Sequence, residues 1–262
     1  MECFESWCLC GKILFVVKVI CSFSCFRVFV VIFVILMEKA KVSEVFSSIQ
    51  GEGPYLGRRE TFVRFSDCNL NCVFCDVEQK KEKFYTAGEL IKRIKEIAQR
   101  TKWLTLTGGE PLLWSDFLKE LLPLLKQQGY KITLETNGTL PEKFKEIKSL
   151  ISLVSLDFKL PSSTGEKPFW KEHQQFLALA KEKSFVKTVI TAKTSSEDLK
   201  KAAKIISGID QKIPLILQPA APYKKFRDVP RIKKVLQFQQ EALKFISDVR
   251  TIPQMHKFLK LK

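Results

Sequence analysis

The chain has no cysteine after Cys75, although it is 262 residues long. Three of its eight cysteines form one cluster, and the other five all precede Met37: Cys3, Cys8, Cys10, Cys21 and Cys25. A secreted protein held together by disulfides would distribute its cysteines through the fold. The distribution therefore argues against a disulfide framework and predicts a reducing, cytoplasmic location.

A long uninterrupted apolar run is also missing. Residues 1–36 are apolar but broken by basic residues, and the longest run without a charge extends only from Val28 to Met37. A membrane-spanning helix needs about 20 apolar residues, and a secretory signal needs one continuous apolar core before its cleavage site. We therefore expect residues 1–36 to be an N-terminal extension, either a leader or sequence upstream of a true start at Met37, and membrane attachment is not expected. The working domain is expected to span residues 37–262.

The chain carries few acidic residues for its basic content: 28 Asp plus Glu stand against 44 Lys plus Arg, a net charge of +16. Such a balance favours anionic partners, although a lysine-rich solvated surface without a partner explains it equally well. The basic residues are spread along the chain, and no helix-turn-helix, zinc-finger or RNA-recognition pattern accompanies them. We therefore do not expect nucleic acid binding.

The clustered cysteines are Cys68, Cys72 and Cys75, in a C-x3-C-x2-C pattern directly after a β-prone run at residues 61–65. Three thiolates on a four-iron cluster leave one iron without a protein ligand, and that open position is a place for chemistry. The alternative is a structural zinc site, but a fourth Cys or His at metal-finger spacing is missing nearby.

The rest of the chain alternates predicted strands and helices. Thr86 and Glu89 form a capping-box pattern at the start of one helix, with apolar residues at helical spacing behind it. The predicted strands cover residues 61–65, 103–107, 130–135, 153–156, 185–190 and 214–218. This alternation predicts an α/β fold with a parallel sheet, either curved into a partial barrel or open. In both arrangements ligands bind at the carboxyl ends of the strands.

Polar residues follow several of these strands, and one glycine-rich loop precedes the first. Residues 47–57 combine three glycines and a proline with the side chains of Gln50 and Glu52, which suits close approach to a ligand, although a plain turn has the same composition. The second strand ends in Gly108-Gly109-Glu110-Pro111, where exposed backbone groups and a carboxylate suit an ammonium group. Further polar strand ends are Glu135 to Gly138, Asp157 to Lys159, and Gln218.

The cysteine pattern and the Gly-Gly-Glu-Pro run resemble the radical S-adenosylmethionine (radical SAM) family. Within it, residues 37–262 resemble the 7-carboxy-7-deazaguanine synthases, through motifs at Ser48 to Gly53, Phe62 to Arg64, Cys68 to Asp76, Thr107 to Pro111, Glu135 to Gly138, Lys159 to Ser163 and Pro253 to Lys257. Members convert 6-carboxy-5,6,7,8-tetrahydropterin into 7-carboxy-7-deazaguanine with loss of ammonia, on the route to queuosine. The resemblance implies a partial (β/α)6 barrel with parallel strands, a [4Fe–4S] cluster and S-adenosylmethionine.

The resemblance also implies roles for individual residues. The cluster ligands are Cys68, Cys72 and Cys75. The cofactor-binding residues are Phe74, Cys75, Asp76, Gly109, Glu110, Glu135, Asn137, Asp157, Phe158, Lys159 and Gln218. The substrate-binding residues are Ile49, Gln50, Gly51, Glu52, Arg64, Thr107, His256 and Lys262, the last through the C-terminal carboxylate. A guanidinium fork at Arg64 suits the carboxylate of the pterin, and Glu52 suits its guanidine-like edge.

One position departs from the family pattern. Val77 stands where members usually carry Thr or Ser, whose hydroxyl helps to bind Mg²⁺. Valine offers no oxygen to a hard cation, so the Mg²⁺ requirement stays open, with Glu78 or water as a replacement ligand.

The resemblance further implies a homodimer and an electron donor such as flavodoxin. Two other functions are kept as alternatives. One is a glycyl-radical-enzyme activating enzyme, which shares the cluster loop but acts on a protein. The other is a non-catalytic module that binds metal or nucleic acid.

Overall fold

The computed structural model describes residues 38–77 and 82–259, and in the preceding segment it describes the backbone of three strands. The chain divides into two compact units, Met1–Lys39 and Ala40–Lys262. In the first unit, β1 (Glu5–Leu9), β2 (Lys12–Phe23) and β3 (Phe26–Ile35) form an antiparallel sheet in that order. The assignment of residues 1–36 as an extension stays a prediction.

The second unit is built on a nine-stranded sheet. Its strands are β4 (Lys39–Ile49), β5 (Arg59–Phe65), β6 (Lys83–Thr86), β7 (Trp103–Gly108), β8 (Lys131–Thr136), β9 (Leu153–Asp157), β10 (Ser184–Ile190), β11 (Leu215–Pro219) and β12 (Val249–Thr251). Their order across the sheet is β12-β11-β10-β9-β8-β7-β5-β4-β6. Strands β5, β7, β8, β9, β10, β11 and β12 run parallel, and β4 pairs antiparallel with β5. The predicted α/β class with a parallel sheet is therefore confirmed.

Helices connect the parallel strands. They are α1 (Ala87–Ile97), α2 (Ser115–Gln127), α3 (Pro141–Ile147), α4 (Pro161–Thr164), α5 (Trp170–Ala180), α6 (Ser196–Asp210), α7 (Ile232–Leu243) and α8 (Met255–Phe258). The predicted capping box begins α1, since Thr86 and Glu89 exchange hydrogen bonds. Within the described part of the chain, none of these helices has the length and apolar character needed to cross a bilayer.

The strands β1, β2 and β3 of the first unit were not predicted, and three strands of the second unit were also missing from the sequence prediction: β4, β6 and β12. The composition of residues 47–57 predicts a loop, but β4 extends to Ile49. It pairs with β5 from Val42 opposite Phe65 to Ile49 opposite Arg59. Residues 47–49 therefore belong to a strand, and the glycine-rich loop begins after Ile49. The polar residues of β4 concealed it, because only its partner strand supplies the hydrogen bonds that make it extended.

The two faces of the sheet differ in character. Val63, Leu106 and Leu134 point to the main core, where they pack with the helices. Alternation along each strand turns their neighbours to the opposite face. There the register places Arg64 beside Thr107 and Asp157 beside Lys187. Polar side chains thus collect on one face of a parallel sheet, at the carboxyl ends of its strands.

Candidate active site

The loop that carries the cysteines is held by the turn after β7. Gly109 N donates to Phe65 O at 3.0 Å, and Glu110 N donates to Asp67 O at 2.9 Å. A Cβ atom on Gly109 would overlap the carbonyl oxygen of Asp67. Asp67 itself has a φ of 65°, in the left-handed region. Gly109 is therefore required by the close approach of these two loops.

The three thiols of this loop are free. Cys68 and Cys75 are exposed and Cys72 is partly buried. Burial raises the pKa of Cys68 and raises the pKa of Cys72 to about 11, and the negative charge of neighbouring thiolates adds to both pKa shifts. The three thiols therefore influence one another electrostatically.

The described residues contain no group of three or more His, Cys, Asp or Glu side chains arranged to bind a single metal ion. The ligands of a cubane cluster bind different irons, so they do not need to converge on one point. Three free thiols on one exposed loop therefore fit a cluster with an open iron and do not fit a closed zinc site.

Glu110 lies behind this loop in a fully buried position. Its carboxylate accepts hydrogen bonds from Leu112 N at 3.0 Å, Thr136 Oγ1 at 2.8 Å and Asn137 N at 2.8 Å. Burial raises the pKa of Glu110 to about 7, against the effect of these hydrogen bonds. The structure thus directs the carboxylate to protein donors and joins the ends of β7 and β8.

Asn137 extends this link to the cysteines. Its Nδ2 donates to Asn69 Oδ1 at 2.9 Å and lies 3.9 Å from Cys68 Sγ. Its carbonyl oxygen lies 3.0 Å from Nε2 of His173, whose ring stacks on Phe158 with centroids 4.5 Å apart. Burial lowers the pKa of His173 to about 4, so this imidazole is neutral near pH 7. The ring of Phe158 is consequently buried against His173.

The ends of β9 and β11 present polar atoms that have no hydrogen-bond partner among the described residues. Lys159 Nζ donates to Asp157 Oδ2 at 2.8 Å and lies 5.6 Å above the ring of Phe74. Asp157 Oδ1 and Gln218 Oε1 are buried without a hydrogen bond. Buried acceptors normally find donors, and hydroxyl and amino groups of a bound nucleoside would supply them. These residues therefore fit the predicted cofactor.

The glycine-rich loop brings Gln50 and Glu52 to the same polar face. Glu52 accepts a hydrogen bond from Lys187 Nζ through Oε2 and from Gln254 Nε2 at 2.9 Å through Oε1. Gln50 accepts from Glu52 N at 3.1 Å and donates to Glu135 Oε1 at 3.1 Å. Burial alone would raise the pKa of Glu52, but the charge of Lys187 and the two hydrogen bonds lower it to about 2.

Glu135, Thr107 and Arg64 line the face beside this loop. Thr107 Oγ1 donates to Glu135 Oε2 at 2.6 Å, and burial raises the pKa of Glu135. The Arg64 guanidinium lies 3.9 Å from Glu44 Oε2 and 5.5 Å from the centroid of the Phe46 ring. Arg64 and Thr107, two of the predicted substrate-binding residues, thus lie on neighbouring strands.

The segment at the start of α8, from Gln254 onwards, covers the glycine-rich loop. Met255 N donates to Gly51 O at 2.9 Å, and a Cβ on Gly51 would lie 2.6 Å from Nδ1 of His256. Burial lowers the pKa of His256. His256 therefore meets the predicted loop, which begins where Ile49 ends β4. Lys262 lies outside the described residues.

Asp76 is engaged by side chains of the same segment. Its Oδ2 accepts from Gln254 Nε2 at 3.2 Å and contacts the Lys257 ammonium. Val77 contributes no oxygen. A carboxylate neutralised by an ammonium beside an apolar side chain does not fit a hard-cation site. The described residues around Asp76 therefore do not fit Mg²⁺, and Glu78 lies outside the described residues.

Several site residues escaped the sequence prediction: Asn69, His173, Lys187, Gln254 and Lys257. Lys187 carried a usable signal, because a charged residue inside an apolar parallel strand is unusual. Gln254 and Lys257 belong to the motif from Pro253 to Lys257, in which the resemblance implies a role only for His256.

The fold and the thiol loop define the class of protein. Residues 62–206 match the family model described as "Radical SAM superfamily". The crystal structure of QueE from Escherichia coli superposes with a TM-score of 0.59 at 17% identity, covering 83% of this chain and 95% of that one. The crystal structure of a radical SAM methyltransferase from Sphaerobacter thermophilus gives a TM-score of 0.56 at 14% identity, covering 96% of this chain and 77% of that one. The chain is a radical SAM enzyme, and the expected partial barrel agrees with this fold.

Sequence relatives narrow the class. The 7-carboxy-7-deazaguanine synthase of Geobacter sulfurreducens is 34% identical over 84% of this chain and 97% of its own length. The protein of the same name from Methanothermobacter thermautotrophicus is 35% identical over 87% and 100%. The chain belongs to the 7-carboxy-7-deazaguanine synthase family. Neither a glycyl-radical activating enzyme nor a non-catalytic module is supported.

Proposed function

We propose that this chain converts 6-carboxy-5,6,7,8-tetrahydropterin into 7-carboxy-7-deazaguanine with loss of ammonia. The observation that carries the proposal is the arrangement around Glu52, a buried carboxylate fixed by Lys187 and Gln254 beside Gln50. A pterin presents adjacent N–H donors along one ring edge, and an ionised carboxylate accepts two of them. The names and identities of the relatives agree with this substrate.

The remaining polar residues orient the rest of the pterin. Arg64 clamps its carboxylate through two parallel hydrogen bonds, because a guanidinium matches that group. Thr107 and Gln50 contact the ring through their polar side chains. His256 closes the loop side of the pocket and excludes water from it.

The cofactor side is organised by different residues. Cys68, Cys72 and Cys75 would hold a [4Fe–4S] cluster, and Asp157 and Gln218 would accept hydrogen bonds from the nucleoside of S-adenosylmethionine. When bound, the cluster and the cofactor would supply the radical chemistry that removes a hydrogen atom from the substrate, with one electron provided by an external reductant. The protein binds, orients and shields both reactants, which is the larger part of its catalytic contribution.

An anaerobic turnover assay tests the proposal. Protein reconstituted with iron and sulfide is given a reductant, S-adenosylmethionine and the carboxytetrahydropterin, and the products are followed by mass, with and without Mg²⁺. We expect 7-carboxy-7-deazaguanine in both arms, because Val77 supplies no oxygen and Asp76 is paired with the Lys257 ammonium. Formation of 5′-deoxyadenosine alone would show a radical enzyme with another substrate.

Three further features are proposed on the same basis. We propose a cytoplasmic location, because the cluster and free thiols require reducing conditions. A homodimer follows from the family resemblance, and sedimentation analysis tests it. The net charge of +16 favours an acidic electron donor such as a flavodoxin, whose reduction of the cluster should weaken as salt rises.

A further inference from the structure

Lys187 occupies an unusual position for a lysine. It lies inside β10, opposite Asp157 of β9 and Ile216 of β11 in the parallel register. Only 12% of its side chain is exposed. Burying an ammonium is costly unless it is paired and hydrogen-bonded, so a lysine at this position needs charged partners.

Those partners belong to both sides of the site. Lys187 Nζ donates to Glu52 Oε2 in the substrate loop and lies 3.6 Å from Asp157 Oδ2 at the cofactor strand. The same Asp157 oxygen accepts from Lys159 Nζ at 2.8 Å, and Lys159 faces Phe74. A continuous chain of ionic contacts therefore connects the loop for the pterin with the strand end for the nucleoside.

The charges around Lys187 are unevenly distributed. Glu52, Asp157 and Glu135 face it. Lys159, paired with Asp157, and His256, whose pKa is lowered by burial, are the other basic side chains nearby among the described residues. Burial opposes the charge of Lys187, yet Glu52 and Asp157 raise its pKa above the ordinary value. Lys187 is thus the cation in direct contact with Glu52.

We propose that Lys187 is a positioning residue that fixes Glu52 for the pterin and ties it to Asp157, so that pterin and S-adenosylmethionine bind cooperatively. The proposal rests on the proposed function and names a residue that acts through Glu52. The first ligand to bind orders the shared ionic chain, and the second then binds to a chain already ordered. Because coupling is reciprocal, each ligand should strengthen the other by the same factor.

The test measures pterin binding to the reconstituted enzyme under anaerobic conditions without reductant, in the presence and absence of S-adenosylmethionine. In the unmodified protein we expect the cofactor to tighten pterin binding by about tenfold. Lys187→Met, which keeps an unbranched chain without the charge, should bring this factor close to one and raise the Kd for the pterin by about tenfold. Lys187→Arg should restore part of both effects.

The matched control is Lys193→Met, because Lys193 is 81% exposed and its pair with Asp228 spans 3.8 Å. A second measurement separates positioning from general damage. Without Lys187, burial should raise the pKa of Glu52, so pterin binding by Lys187→Met should weaken as pH falls while the control does not change. If Lys187→Met does not fold, Lys187→Gln replaces it in the same comparison.

The outcomes are distinguishable. If the unmodified protein binds no pterin, the proposed function fails. If it binds pterin but Lys187→Met and Lys193→Met show the same coupling factor and pH dependence, only the role of Lys187 is overturned. A lost coupling factor with the pH dependence described above supports the role.

Discussion

Glu110 is fully buried and Glu52 is only 17% exposed at the same end of the sheet, yet their surroundings are opposite. Glu110 accepts hydrogen bonds from uncharged donors, and burial raises its pKa to about 7. Glu52 is paired with the Lys187 ammonium, which overcomes burial and lowers its pKa to about 2. The type of neighbour, more than the depth of burial, sets the charge of a carboxylate here.

The difference separates two tasks. A carboxylate surrounded by neutral protein donors joins loops together, and Glu110 joins the end of β7 to the start of the loop after β8. A carboxylate held ionised by an ammonium is prepared to accept hydrogen bonds from a ligand. We therefore expect changes at Glu110 to affect both stability and cofactor chemistry, and changes at Glu52 to affect mainly the pterin.

The largest effect on stability and cluster binding is expected from a substitution at Gly109 that displaces the turn carrying Glu110. Gly109→Ala places a Cβ onto the Asp67 carbonyl, so the turn and the cysteine loop must separate. We expect a loss of about 3 kcal/mol or more in the free energy of unfolding and reduced iron content after reconstitution. Gly88→Ala in α1 is the control, since no atom lies within 4 Å of its Cβ position. Equal stability of the two variants would contradict the close approach.

The second-largest effect is expected from removing the charge of Glu52. Glu52→Gln leaves Lys187 without its hydrogen-bonded anion, and breaking a buried ion pair should cost about 3 kcal/mol. Product formation should fall by about 100-fold or more, while 5′-deoxyadenosine formation continues. Glu96→Gln is the control, because the ion pair of Glu96 with Arg93 is exposed. Parallel loss of both products in Glu52→Gln would place Glu52 on the cofactor side instead.

A pH series sharpens the comparison. The folded protein keeps Glu110 protonated between its unfolded pKa, near 4.5, and about 7, so its contribution to stability is present below 4.5 and is lost as pH rises through 7. Glu110→Gln should abolish a decline of up to about 3 kcal/mol over that range. Denaturant unfolding at several pH values measures it. Glu52 has the opposite sign: its contribution is present above pH 4.5 and is lost as pH falls toward 2.

The smallest effect lies away from both carboxylates. Thr86→Ala removes the cap of α1 and should lower the free energy of unfolding by about 1 kcal/mol. The pH dependence of stability and the ratio of product to 5′-deoxyadenosine should not change. Thr86→Ser keeps the hydroxyl and should retain most of the stability. A changed product ratio in Thr86→Ala would show that the helix influences the site.

The features predicted correctly are mostly local in sequence. The capping box of α1 depends on residues within one turn. The cysteine pattern and the Gly-Gly-Glu-Pro turn are short motifs at the ends of strands that hydrophobic pattern alone could locate. Residue spacing within these short segments was therefore enough to predict the helix cap, the cysteine loop and the Gly-Gly-Glu-Pro turn.

The features that were missed depend on contacts distant in sequence. Lys187 and Glu52 are 135 residues apart, and Gln254 and Glu52 are 202 apart. No periodicity in the chain specifies which loop meets which strand. The strand β12 is only three residues long, so its pairing with β11 defines it. Register and tertiary approach supply these contacts, and a single sequence does not encode them visibly.

The pairing of Glu52 with Lys187 also has an evolutionary consequence. A buried charge without its partner is worse than a pair of uncharged residues, so neither residue can be replaced by a single mutation at low cost. Descendants of this chain should keep both residues or lose both, and lineages that lost one would be eliminated before the second change arose. The two positions should therefore vary together among relatives, although 135 residues separate them.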